Sequence, residues 1–432
     1  MGIPPLTRRF LAPVAMVLVA AGLGWQAAVG STGFVVPFLA LGGALLALTN
    51  STARALFPYT LGVLFILASA STFTGSIAES VGFRIVGIAL LCGGSLQKPL
   101  IIAGDKPDSR RNLAELSLWL PWVIGSLLVF LMLSTAFHGQ VATFILYCVG
   151  LIMLAVAVVA TAVSVPRRIV TTAVVLTLGT MVAGSLIMGF ALPGMAIAGG
   201  RLRGLASNAN LLAFYAFLLG SLAIIIVRHI GLRLVLLSLA IVCIVSTSSR
   251  ASALALAIVV VVAALRRVSV TKVLWLTGLI TLGIVIAVAV PQTLSVLDGV
   301  LRGGNSRSAS FDGAIGAFRS SPLIGIGMAS EEVEIASSPL RALATAGIGG
   351  LIAVVVIWGA FLWQSRKAGV LGVGFTLAAV VHSCFEGWLL SPVSPLLLIF
   401  VLVWWVIVQP ERQAGFPQRI PSVLPLENRT RS

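Results

Sequence analysis

Residues 141–191 read VATFILYCVGLIMLAVAVVATAVSVPRRIVTTAVVLTLGTMVAGSLIMGFA. The stretch holds two apolar runs, 141–164 and 169–191, parted by Val165-Pro166-Arg167-Arg168. Neither run carries a charged side chain. As a helix rising about 1.5 Å per residue, each is long enough to cross a hydrocarbon layer about 30 Å thick. The proline breaks the helical ladder between them, and the paired arginines mark a loop held at a membrane surface.

The same alternation extends in both directions. Apolar runs fall at 11–29, 33–49, 56–72, 81–103, 114–136, 209–227, 231–247, 251–265, 273–290, 340–363, 369–390 and 393–408. The expected fold is therefore all-α, a polytopic transmembrane helix bundle of about 12–14 spans with one larger extracytoplasmic loop. Composition agrees. Of the 432 residues 59% are apolar and only 9% charged, far below the roughly 25% that covers a soluble surface. The net charge of +16 does not point to nucleic acid, because the basic residues are scattered through short loops. Cys92, Cys148, Cys243 and Cys384 lie inside apolar runs without CxxC or Cys/His spacing. Neither a disulfide nor a metal site is expected. Arg8 and Arg9 precede the first run, which reads as a retained span rather than a cleaved leader.

The distribution of lysine and arginine sets the orientation. With both termini in the cytoplasm, 20 of the 28 basic residues fall inside and seven outside, while Arg84 lies within a span. The reverse orientation inverts that ratio. The chain divides accordingly into N-terminal transmembrane helices (1–199), a core (200–364) containing the external loop 291–339, C-terminal helices (365–409) and a cytoplasmic tail (410–432). All four lysines fall on the inner side and every outer basic residue is arginine. Arginine presents a planar fork suited to phosphate.

Three constellations face outward in this arrangement. The first runs from Arg201 through Arg203, Gly204 and Asn208 to Asn210, where a span begins. Helix N-termini attract anions, and capping accounts for one asparagine but not for the whole cluster. The second is the turn Ser246-Thr247-Ser248-Ser249-Arg250, whose arginine otherwise reads as a side chain reaching lipid headgroups. The third runs from Arg307 through Phe311 and Arg319 to Pro322, Gly325 and Gly327. Its middle, Ser310 to Phe318, predicts a short amphipathic helix ended by the proline and glycines.

In the order and spacing of these pieces the chain resembles the O-antigen ligase and polymerase family of bacterial membrane glycosyltransferases, over roughly residues 200–360. Arg201, Gly204, Asn208 and Asn210 match one family motif. Ser249 and Arg250 match a second, and Arg307, Phe311, Pro322, Leu323, Gly325 and Gly327 a third. The leucine-rich entry to a glycine-containing span matches Leu340 to Leu351. The resemblance implies transfer or polymerisation of an undecaprenyl-diphosphate-linked glycan onto a glycan or lipid acceptor. This would occur at the outer face of the bacterial plasma membrane, among membrane lipids, with no cofactor, metal or nucleic acid. It also implies that Arg201, Arg203, Arg250 and Arg307 bind the diphosphate. The sequence expectation is that Arg201, Arg250 and Arg307 converge, with Arg203, Arg319 and Arg341 as second choices.

At one position the chain departs from the family. Ser337 and Ser338 stand where the family carries a histidine before the Leu340 span. Two replacements fit a base that accepts the acceptor's proton. One is the group Glu331, Glu332 and Glu334, of which Glu334 is nearest. The other is the pair His382 and Glu386, spaced to share one face of a helical span. His382 also fits a histidine satisfied by a neighbouring helix. Two other functional classes compete: a transporter or flippase for a polar lipid or glycan, and a catalytically inactive family relative.

Overall fold

In hydrocarbon every backbone N–H and C=O must find a partner within the chain, and a helix satisfies them locally. The computed structural model describes residues 51–71, 77–96, 109–265, 306–328, 335–391 and 394–409. Among these, the apolar runs form helices α1 (Ser51–Ala68), α2 (Ile77–Leu96), α3 (Ser109–Ser134), α4 (Val141–Ser164), α5 (Arg167–Ala191), α6 (Ala209–Ile225), α7 (Ile230–Thr247) and α8 (Arg250–Ala264). Then follow α9 (Ser306–Ser320), α10 (Ser338–Ser365), α11 (Gly369–Phe385) and α12 (Pro395–Val408). The expected spans 11–29, 33–49 and 273–290 and the tail 410–432 lie outside the described residues.

The protein is an all-α membrane bundle. Among the described residues, five stretches are long and apolar enough to cross a membrane: Ala114–His138, Val141–Ser164, Arg167–Ala191, Ile230–Thr247 and Ser338–Phe385. The last contains both α10 and α11. Shorter apolar helices complete the packing. α6 is buried from Leu211 to Ala223, and α12 is buried at every residue except Leu396. A helix apolar on all faces needs neighbours on all faces, so these two occupy the middle. The outer helices show the opposite: Phe190 is 89% exposed and Val245 70% exposed. Water would not tolerate so many exposed large apolar side chains, and lipid does. Some core hydroxyls tie helices together. The Trp404 indole N–H donates to both Ser365 Oγ (3.0 Å) and Thr376 Oγ1 (3.1 Å), linking α10, α11 and α12.

Long-range hydrogen bonds sort the helix termini into two ends. At one end Ser207 N donates to Ala70 O (2.9 Å), Arg201 Nε to Thr247 O (2.8 Å) and Ser338 Oγ to Glu386 O (2.7 Å). This is the motif end. At the other end Asn112 Nδ2 donates to Ala162 O (2.7 Å), Arg167 Nε to Val406 O (2.8 Å) and Gln409 Nε2 to Asn112 Oδ1 (2.8 Å).

The expected amphipathic segment is present as α9, and it packs on α10 through Ala314, Ile335 and Ala344. α10 itself is broken. Gly347 has φ 63° and ψ −154°, which interrupts the helical ladder. The segment after α9 fills the break: Ile326 N donates to Ala344 O (2.9 Å), Gly327 N to Thr345 O (3.1 Å), and Ile348 N to Pro322 O (2.9 Å). The approach requires glycine on both sides. A Cβ on Gly347 would lie 2.5 Å from Leu323 backbone atoms, and one on Gly325 would lie 2.3 Å from Ala346 N. Gly347 itself is buried, and the irregular backbone there is stable because these bonds pair its N–H and C=O groups within the chain.

Candidate functional site

The loop before α6 is more ordered than its sequence suggests. Pro193–Ala196 forms one helical turn, and the strands β1 (Ile197–Ala198) and β2 (Arg201–Leu202) pair antiparallel across Gly199-Gly200. This hairpin presents Arg201. Its Nε holds the Thr247 carbonyl at the end of α7, and an Nη donates to Asn210 Oδ1 in the first turn of α6. Asn208 caps α6, accepting from Leu211 N (2.8 Å). The two asparagines thus have separate tasks, one capping a helix and one orienting a guanidinium. Gly204 lets the chain pass against α5. Its φ is +53°, and a Cβ there would lie 2.3 Å from Ser185 Cβ. Arg203 Nε donates to Met195 O (3.2 Å) within the same loop.

The bond to Thr247 brings the first constellation to the second. α7 ends at Thr247, Ser248 turns with φ 51°, and α8 starts at Arg250. Positive φ in a non-glycine residue is uncommon and occurs here at a tight reversal. Ser249 is buried, whereas Arg250 is exposed. The turn continues into the bundle: Ser249 Oγ donates to Ser252 Oγ (3.3 Å), and Ser252 Oγ meets His382 Nε2 (3.0 Å). The Trp388 indole N–H donates to His382 Nδ1 (3.1 Å). An indole only donates, so Nδ1 is unprotonated and the ring carries its hydrogen on Nε2, directed at Ser252. His382 is 1% exposed and stacks on Phe217 at 5.9 Å and 10°.

The expected His382–Glu386 face is corrected by the structure. α11 ends at Phe385, and Glu386 follows in extended conformation (φ −138°, ψ 138°). The four-residue spacing therefore does not place the two side chains one above the other on a helix. Glu386 instead joins the start of α10, where its carbonyl accepts from Ser338 Oγ. Ser337 caps that helix, accepting from Leu340 N (3.4 Å). Ser337 and Ser338 thus serve the helix start, and Ser338 is bonded to the Glu386 backbone. Glu334, with Glu331 and Glu332, lies outside the described residues.

Arg307 lies in the first turn of α9, and Arg319 is exposed in its last turn. Pro322, Gly325 and Gly327 form the segment that fills the α10 break, and Gly327 packs against His138. Arg341 lies half-buried in the first turn of α10. The motif end therefore gathers Arg201, Arg250, His382, Glu386 and Ser338 through successive contacts, although up to 185 residues separate them in sequence.

Two members escaped sequence reasoning. Arg84 in α2 donates through Nε to Ser69 Oγ (3.2 Å) and through Nη to Ser80 Oγ (2.9 Å). The neighbouring Ser71 bridges to Ala206, which puts this intramembrane arginine by the 201–210 turn. Its charge inside an apolar run was the available signal. Trp388 carried no signal beyond being a tryptophan near a span end. Among the described residues no group of His, Cys, Asp and Glu is arranged to hold a metal ion. The sequence matches no known family profile and no characterised protein.

Proposed function

We propose that the protein transfers or polymerises an undecaprenyl-diphosphate-linked glycan at the outer face of the bacterial plasma membrane, with both termini in the cytoplasm. One observation carries this reading: the Arg201–Thr247 bond joins two arginine motifs 46 residues apart at one end of the bundle. In this reading an acceptor hydroxyl oxygen attacks the anomeric carbon as the bond to the diphosphate oxygen breaks. The electron pair departs with the carrier diphosphate, and Arg250, with Arg203 and Arg307 as further donors, stabilises the growing charge. Arg201 holds the hairpin and the α7–α8 turn in register. The acceptor's proton passes to a carboxylate, Glu386 or Glu334. Glycan complementation with Glu386→Gln, Glu334→Gln and the double variant is the test. Loss of about 10²-fold or more in one single variant is expected and identifies the base. Full activity in the double variant removes carboxylate catalysis.

The orientation has its own test. A single cysteine at Ser308, in a chain freed of its native cysteines, is expected to react with a membrane-impermeant thiol reagent on intact cells. Labelling only after lysis overturns the topology.

A flippase or transporter reading draws on the break in α10, since transport sites use interrupted helices. The backbone groups freed at Gly347 bond to Pro322, Ile326 and Gly327 rather than facing open space, which favours a structural break. Accumulation of intact carrier-linked glycan on the inner leaflet of a deletion strain would support transport. Accumulation on the outer leaflet supports transfer.

A further inference from the structure

The end opposite the motifs carries a cleft of its own. It lies between α3, α10 and α12, with about 260 Å³ of free space opening to one side, and its inner part admits one water-sized group. Asn112, Glu115 and Trp119 come from α3, Gln364 from α10, and Trp404, Trp405 and Gln409 from α12 and its end. Gln409 donates to Asn112, and Asn112 donates to Ala162 O, which fixes the rim. Gln364 is 3% exposed, yet its side-chain oxygen has no hydrogen-bond partner. Burying an unpaired amide oxygen is costly, so the cleft calls for a donor.

The lining specifies which donor, because it holds the one described negative charge of an otherwise basic end. The described basic residues at this end are Arg110, Arg111, Arg167, Arg168, Arg228, Arg233, Arg366 and Lys367. Glu115 is the one described carboxylate at this end, and it lines the cleft. Trp119 and Trp404, packed edge to face at 4.7 Å, supply aromatic wall. A carboxylate, an amide oxygen and indole rings together favour a cation that bears N–H groups. The depth identifies its source. Trp363, 65% exposed with Arg366 stacked 3.5 Å over its ring, adjoins Gln364 in sequence and marks the headgroup layer.

We propose that this cleft binds the primary ammonium of an ethanolamine phospholipid headgroup in the adjacent leaflet. An ammonium is close to water in size and carries three N–H donors, one for Gln364 Oε1 and one for the Glu115 carboxylate. A choline headgroup has no N–H and is too large for the inner part, and a phosphoglycerol headgroup brings no cation. The inference is independent of glycan transfer.

The experiment uses the full chain in detergent, exchanged into mixed micelles with phosphatidylethanolamine, phosphatidylcholine or phosphatidylglycerol of equal acyl chains, and read by native mass spectrometry. Ethanolamine lipid is expected to be retained about tenfold over choline lipid, the discrimination typical of one charge-assisted hydrogen bond. Gln364→Leu and Glu115→Gln should each abolish that preference. Gln364→Leu removes an oxygen that has no partner, so the fold is expected to persist, and size-exclusion behaviour checks it. Equal retention of the two lipids overturns the proposal, as does an unchanged preference in both variants. A cleft that holds only water gives no headgroup discrimination. Displacement of the lipid by millimolar soluble phosphoethanolamine overturns the lipid as the source of the ammonium.

Discussion

Arg250→Ala is expected to lower the rate of glycan transfer by about 10²–10³-fold while leaving the protein folded, the usual effect of removing one fixed donor from a developing anion. Arg250 is exposed at the first position of α8, so truncating it opens no core cavity. Arg250→Lys should recover only part of the rate, because an ammonium cannot reproduce the planar two-point fork. Arg201→Ala provides the contrast. Arg201 donates to Thr247 O and Asn210 Oδ1, so its loss releases the hairpin as well as removing charge. Stability should fall together with activity in that variant. Carrier-linked oligosaccharide supplied to proteoliposomes gives the rate, and thermal unfolding gives the stability. A full transfer rate in Arg250→Ala would dissolve the proposed diphosphate site.

The other large effect is structural. Gly347→Val is expected to destabilise the protein by about 3 kcal/mol or more, enough to empty the monodisperse fraction after detergent extraction. Two costs combine. The conformation φ 63°, ψ −154° belongs to a region open essentially to glycine alone. The added carbon would also meet Leu323 and Pro322 backbone atoms at 2.5 Å, where no flexible side chain can give way. Gly359→Ala, in the unbroken part of the same helix with open space around it, is the control. It should be neutral or stabilising by about 0.5–1 kcal/mol. Equal behaviour of the two variants would mean that the α10 break is not built into the fold.

Much of the bundle was legible because apolar length is a one-dimensional signal. The runs at 141–164 and 231–247 match α4 and α7 to within a residue at each end. That one asparagine of Asn208 and Asn210 caps α6, and that the chain turns at Ser246–Arg250, were legible for a similar reason, since both are local chemistry. What was not legible depends on contacts between distant segments. The break in α10 hides in Gly347-Ile348-Gly349-Gly350, which reads equally well as a small-residue packing face. Only the approach of Pro322 to Gly327 decides it. Arg201 was expected to bind the diphosphate, whereas two of its five N–H donors go to Thr247 and Asn210. The His382–Glu386 spacing failed because helix termini are set by partners, here Ser338, and not by the periodicity of the run itself.

The direction of the hydrogen bonds around His382 has a further consequence. A proton relay needs each member to receive on one side and release on the other. At His382 the receiving side, the unprotonated Nδ1, faces an indole that holds its own N–H. Nε2 already carries its hydrogen toward Ser252 and takes no proton from it, so the chain Ser249–Ser252–His382–Trp388 is a dead end for conduction. In the proposed reaction the acceptor's proton would therefore leave by another route, toward a carboxylate or the aqueous phase. The buried imidazole is then a fixed strut between α8 and the Trp388 turn rather than a conductor.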